Sequence, residues 1–188
     1  MVVARKPVLY MIVCAAPPAQ TIDDFIRQVQ RAGWDVCVIA TPHATRWIDK
    51  PALEAITGHV VRVDYKLPGE DDPLPKADAI IVIPATFNTI NKWTAGIGDN
   101  LAVSLLCEAL GNGQIPILLI PCVKMDLVCH PAFARSIALL RDCNVRILHE
   151  PERYKSPQMV PWQEILAELH LIYHACEEKM LKGQQKNI

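Results

Sequence analysis

The chain is 188 residues long, the size of one domain that buries about 70% of the surface its unfolded form exposes. Its 19 basic and 20 acidic residues nearly cancel, which excludes the electrostatic footprint of a nucleic-acid or anionic-membrane binder. No apolar run approaches the roughly 20 residues of a membrane span, and the seven cysteines, without a Cys-x-x-Cys pair, point to a reducing cytoplasm rather than a disulfide scaffold.

Met1 to Lys6 is basic and Pro7 to Pro18 apolar, but Pro7 and the Pro17-Pro18 pair suit a first buried strand better than a signal peptide. That strand is Val8 to Cys14, followed by a turn over Ala15 to Gln20. Thr21 is placed to cap a helix with Asp23 and Asp24 in its first turn, an apolar stripe of Phe25, Ile26, Val29 and Ala32, and Gly33 as its stop. Asp35 to Ala40 reads as a second strand, and Thr41-Pro42 leads into a helix over His43 to Asp49. A short helix over Leu53 to Thr57 ends at Gly58, Val60 to Val63 is a third strand, and Leu67 to Lys76 is an acidic loop.

Ala79 to Ile83 is an apolar, β-branched run without polar alternation, the pattern of a fourth strand covered on both faces. Pro84 removes a backbone donor and is expected to end the ladder. Thr86, Asn88 and Thr89 follow, short polar side chains that cap a helix and leave backbone amides facing outward. A strand handing over to such a helix makes an anion cradle at the strand's carboxyl end, which suggests a phosphate-bearing ligand. Gly96 and Gly98 break the helical region, and Leu101 to Leu110 is its long piece. Ile115 to Pro121 is a fifth strand, Ala132 to Arg141 a helix, and Val145 to Leu148 a sixth strand. Trp162 to Leu181, within a C-terminal helical segment of residues 161–182, carries Ile165, Leu166, Leu169 and Ile172 at helical spacing, and the tail from Lys182 to Ile188 is polar. Strands alternating with helices give one α/β domain over residues 1–188 with a mostly parallel six-stranded sheet.

Pro84-Ala85-Thr86-Phe87-Asn88-Thr89 resembles the Pro-Ala-Ser-Ala-Asn-Thr signature of the homo-oligomeric flavin-containing cysteine decarboxylases. That family includes the phosphopantothenoylcysteine and the lantibiotic peptidyl-cysteine decarboxylases. The similarity continues through Ile90, Lys92, Ala95-Gly96-Ile97 and Asp99 to Leu101, and the order of elements from Val8 to Leu148 is also similar. The resemblance implies a Rossmann-like, doubly wound FMN-binding subunit with helices on both faces, assembled as a trimer or a multiple of trimers. By position it implies that Thr86, Asn88 and Thr89, with the flanking Pro84, Ala85 and Phe87, form the flavin site. Thr41 looks like the family's Ser/Thr near the ribityl-phosphate. Ala15 and Ala16 fall where the family often has Gly-Ser, so only backbone donors remain there.

Two departures bear on the chemistry. The family's active-site His lies fourteen residues before the signature Pro, where this chain has Glu70, and the nearest upstream histidine, His59, precedes the third strand. The motif Pro-x-Met-Asn-x-x-Met-Trp appears as Pro121-Cys122-Val123-Lys124-Met125-Asp126-Leu127-Val128, with Lys124 in place of the substrate-binding Asn. Lys124 is then a candidate substrate anchor, acting on a carboxylate as a point charge, or else a solvated loop lysine. Glu70 is a candidate base or simply part of a solvated acidic loop. His130, opening a helix, has a capping and a functional reading. Trp47 and Trp93 suit a flavin pocket, the core or, for Trp93, a subunit interface. Cys122 and Cys129 flank the loop that would meet substrate. His170 and His174 stand four apart on the terminal helix, a chelating spacing, but no third ligand falls in register and no metal site is expected. The expected function is an FMN-dependent enzyme related to cysteine decarboxylases, acting on a small carboxylate or thiol or on a peptidyl-cysteine. The alternatives are a flavoprotein of the same fold without decarboxylation, either a flavin reductase or flavin prenyltransferase-like, and a non-catalytic flavin-binding regulatory subunit.

Overall fold

The computed structural model describes residues 5–155 and 157–185. Five strands, β1 (Val8–Val13), β2 (Asp35–Ala40), β3 (Ala79–Ala85), β4 (Ile117–Pro121) and β5 (Arg146–Ile147), form a sheet ordered β2-β1-β3-β4-β5. Every pairing in it is parallel. β1, β3 and β4 are buried along their whole length, as unbroken apolar runs require when both faces of a parallel sheet are covered.

Alternate strand residues feed opposite faces. Leu9, Met11 and Val13 pack with Phe25, Ile26 and Val29 of α1 (Ile22–Arg31) and with Ile165, Leu169 and Ile172 of α7 (Trp162–Gln185). Val8, Tyr10 and Ile12 join Ile90 and Trp93 of α3 (Phe87–Thr94), Leu106 of α4 (Leu101–Asn112) and Phe133 and Leu140 of α6 (Pro131–Asp142). The remaining helices are α2 (Lys50–Thr57) and the single turn α5 (Met125–Val128). On the first face Phe25 stacks on Trp162 with ring centroids 4.6 Å apart. Gly33 ends α1 at φ 103°, a conformation that favours glycine, and a Cβ there would lie 2.9 Å from the Tyr173 hydroxyl of α7 and push that side chain aside.

Several local expectations change. The third strand at Val60 to Val63 shrinks to one bridge between Ile39 and Arg62, leaving five strands rather than six. Arg62 is buried and its guanidinium bonds both oxygens of Asp72 at 3.0 Å, so the acidic loop comes in to neutralise it. Val60 stays 49% exposed and gives the segment no second buried side chain ahead of Val61 to hold an edge strand. β3 does not stop at Pro84. It runs on to Ala85, its register to β4 shifting between Val82 and Ala85, with the Pro84 carbonyl accepting from Cys14 N and the Ala85 carbonyl from Cys122 N. A residue without an N–H is tolerated there because the ladder is already irregular. Thr21 closes a 3-10 turn over Pro17–Thr21 and its side chain makes no cap bond to α1. The helix expected over His43 to Asp49 is a 3-10 turn, Pro42–Arg46, and Asp49 instead caps α2 by accepting from Ala52 N at 3.1 Å. The strand expected over Val145 to Leu148 is the two-residue β5. Met1 to Ala4, and the tail beyond Gln185, lie outside the described residues. Among those described, no helix is long and apolar enough to cross a membrane.

His149, just past β5, sets its ring edge-on to Phe133 at 5.5 Å. Burial, assisted by the charge of Arg141, pushes its pKa below the ordinary value. The unfolded chain therefore binds more protons there, and stability falls as pH drops through the ordinary histidine range. We expect the urea midpoint of the wild type to fall more steeply between about pH 7 and pH 5 than that of His149→Phe. Identical slopes would assign the effect elsewhere.

Candidate functional site

The carboxyl ends of four strands open onto one cavity of about 820 Å³, within the range of small-molecule and cofactor sites. β1 has β2 on one side and β3 on the other, so this is the switch point of the doubly wound sheet, where ligands of such folds bind. After β1, Ala15, Ala16 and Pro17 line the cavity; after β2, Thr41, Pro42, His43 and Trp47. After β3 come Thr86, Phe87, Asn88, Thr89 and Lys92, and after β4 Cys122, Val123, Lys124 and Leu127. Asp99, Asn100 and Val103, between α3 and α4 and in its first turn, and Pro157 complete the wall.

The start of α3 is the polar end of this space. Thr86 is its N-cap, in an extended conformation, and its hydroxyl oxygen accepts from Thr89 N at 3.5 Å. The first-turn amides of Phe87 and Asn88 have no carbonyl within the helix to bond, and the helix dipole adds a partial positive charge. Beneath them Cys14 Sγ lies 3.3 Å from Thr89 Oγ1, which lies 3.1 Å from Thr86 Oγ1. Lys92 pairs with Asp99, and that hydrogen bond holds the Asp99 carboxyl below its ordinary pKa. Asn100 caps α4 by accepting from Val103 N at 3.2 Å. Cys122 Sγ donates to the Pro157 carbonyl at 3.2 Å, and burial pushes that thiol's pKa up. A donor-rich end, an apolar wall of Trp47, Val103, Val123 and Leu127, and a cation at Lys124 suit an anionic ligand with a flat apolar part.

Of the residues expected at a cofactor, the structure brings Ala15, Ala16, Thr41, Thr86, Phe87, Asn88 and Thr89 together around the cavity. Pro84 and Ala85 are buried inside β3 and do not line it. Lys124 stands on its rim, exposed, at the turn from β4 into α5. Glu70 does not reach the cavity: its carboxylate accepts from Leu67 N at 2.9 Å within the exposed loop. His59 is 2.8 Å from Asp35, the first residue of β2, at the opposite end of the sheet. His130 caps α6, its Nδ1 accepting from Ala132 N at 3.1 Å, and sits edge-on to Phe87. Trp47 lines the cavity, whereas Trp93 is core, its Nε1 donating to the Leu106 carbonyl at 2.8 Å. Exposed Cys129 does not line the cavity. His170 and His174 bring their Nε2 atoms to 3.0 Å, and no group of three or more potential metal ligands exists among the described residues. Sequence reasoning passed over His43, Lys92, Asp99, Asn100 and Val103 as site residues. The available signals were His43's place two residues after Thr41, and Lys92 and Asp99 lying within the signature's continuation.

A parallel doubly wound sheet with an anion-receptive cavity at its switch point defines a nucleotide- or cofactor-binding α/β protein. The chain belongs to the Flavoprotein family, whose model matches residues 4–172. It is 26% identical over 192 residues to the coenzyme A biosynthesis bifunctional protein CoaBC of Thermococcus kodakarensis, covering 97% of this chain and 46% of that protein. To CoaBC of Bacillus subtilis it is 30% identical over 130 residues, 66% of this chain and 31% of the relative. The chain thus spans less than half the length of these curated relatives. Among solved structures it resembles the FMN-dependent cysteine decarboxylase SpaF with a TM-score of 0.73 at 20% identity, covering 92% of this chain and 98% of SpaF. The FMN-binding protein AtHal3 gives a TM-score of 0.74 at 16% identity, over 91% and 98% of the two chains. Peptidyl-cysteine decarboxylase EpiD gives 0.68 at 20%, over 86% and 97%. These likenesses agree with the family resemblance carried by residues 84–101 and with the α/β fold expected from it.

Proposed function

We propose that the cavity binds FMN and that the protein uses it to act on a small carboxylate or thiol substrate or on a peptidyl-cysteine. The observation that carries this is the open, donor-lined end of the cavity at the start of α3, which no side chain of the described residues plugs. Thr86, Asn88, Thr89 and Thr41 would hold the cofactor, Ala15 and Ala16 adding only backbone donors. Trp47, Val103 and Val123 offer apolar surface for its ring system. Bound flavin would supply a two-electron acceptor. Lys124 fixes a substrate carboxylate as a point charge, and His43 brings to the cavity an imidazole able to take a thiol proton. The protein works as a homo-oligomer, as the resembling family does.

A second reading is favoured by Lys124 standing where the family has Asn, and by Glu70 lying outside the cavity. It keeps FMN without decarboxylation, as a flavin reductase or flavin prenyltransferase-like enzyme or a regulatory subunit. Purified protein is expected to be yellow and to release FMN on heating, and colourless protein that takes up no added FMN would end both readings. Incubation with cysteine-ended peptides then separates the two. Loss of the mass of carbon dioxide supports the decarboxylase; holoprotein that leaves the peptide mass unchanged supports the second reading.

A further inference from the structure

We infer that His170 and His174 form a two-histidine clamp on α7 for a divalent metal ion of the tetragonal kind, nickel(II) or copper(II), with water in its remaining positions. The clamp stands apart from the cavity, none of whose lining residues lies in α7, and is independent of what the cavity binds.

α7 turns Ile165, Leu169, Ile172 and Cys176 to the sheet, and His170 and His174 fall on its exposed side. Side chains four residues apart stand one turn above another on the same helix face. Here that spacing brings the two Nε2 atoms to 3.0 Å, with the ring planes at 84°. A metal–imidazole bond is about 2.0–2.1 Å long. Two such bonds from nitrogens 3.0 Å apart meet at about 91–97°, near the right angle between adjacent ligands of a square-planar or octahedral ion. Both rings are exposed, so a small rotation of each aims its lone pair at that point.

Without metal the two nitrogens are linked by a proton on one of them, whichever ring carries it. An ion takes the place of that proton, which passes through solvent to Nδ1 of the same ring. The Glu177 carboxylate lies 3.5 Å from His174 Nδ1 and favours a proton there, as the outer carboxylate does in carboxylate–histidine–metal sites. No third side-chain ligand joins the pair among the described residues, which rules out the closed four-ligand site of structural zinc. Nickel(II) and copper(II) stand high in the affinity order for nitrogen ligands and accept water in the open positions. The two nitrogens meet only while residues 170–174 are helical, so bound metal favours folded α7, the helix that completes one face of the sheet.

The test is calorimetric titration of the full chain with nickel chloride, chosen because copper(II) oxidises thiols and Cys129 and Cys143 are exposed. Wild type is expected to bind one nickel per chain. His170→Gln and His174→Gln, each keeping the helix and one histidine, should raise the Kd at least about tenfold, since the second bond of a chelate is intramolecular. Thermal unfolding should show Tm rising with nickel in wild type and not in either variant. Wild type that takes up no nickel, a Kd within about twofold of wild type in either variant, or a Tm that nickel moves equally in all three overturns the clamp. Half a nickel per chain overturns it too, because two copies would then share the ion in place of water.

Discussion

Replacing Lys124 with alanine is expected to raise the KM for a carboxylate substrate by about ten- to a hundredfold while FMN stays bound. The magnitude follows from losing one charge-assisted hydrogen bond, about 1.5–3 kcal/mol. Lys124 leads from β4 into α5, and only its backbone is used structurally: its carbonyl accepts from Leu127 N and Val128 N at 3.0 Å. The side chain makes no cap bond to α5, so its removal leaves the fold intact. Lys124→Arg should retain most of the binding, because charge is kept even though a planar fork replaces a point. Steady-state kinetics on flavin-loaded protein decides the matter. A KM for Lys124→Ala within twofold of wild type would return Lys124 to the solvated surface.

Trp93→Ala carries the largest stability effect we expect, about 3–5 kcal/mol. The indole is 1% exposed between α3 and α4, donates to the Leu106 carbonyl at 2.8 Å, and packs among Ile90, Leu106 and Phe133. In a chain of this size that loss lowers Tm by about 10 °C. Trp93→Phe keeps most of the apolar contact, loses one hydrogen bond and should cost about 1–2 kcal/mol. Thermal unfolding followed by far-UV circular dichroism measures both, and a Tm within about 3 °C of wild type for Trp93→Ala would mean that α3 is anchored by other contacts.

Much of the architecture can be read from patterns that depend on near neighbours. Unbroken apolar runs at residues 8–13, 36–40 and 79–83 mark strands because a doubly covered parallel strand has no polar face to show. Thr86 to Thr89 betrays the cradle because capping is local chemistry. What escapes depends on distant partners. Val60 to Val63 looks like a strand until Arg62 is seen to need Asp72. Glu70 falls in the expected place by counting along the chain, yet a loop need not keep step with a count, and this one turns the carboxylate onto its own backbone. For Trp93, which follows the signature, pocket, core and interface all suit the sequence, and only packing shows that it is core, covered by α4. His43 and Pro157 meet at one cavity from far apart in the sequence, which no window along the chain can show.

Every residue that lines the cavity comes before α7 in the chain, whereas one face of the sheet is covered by α1 and completed by that helix. Synthesis therefore finishes the cavity before it can finish covering Phe25, Val29 and their neighbours. Until α7 emerges from the ribosome, the nascent protein holds a nearly complete cavity beside a sheet face that α1 covers only in part, and that sticky interval is when early flavin capture would do most to favour correct folding.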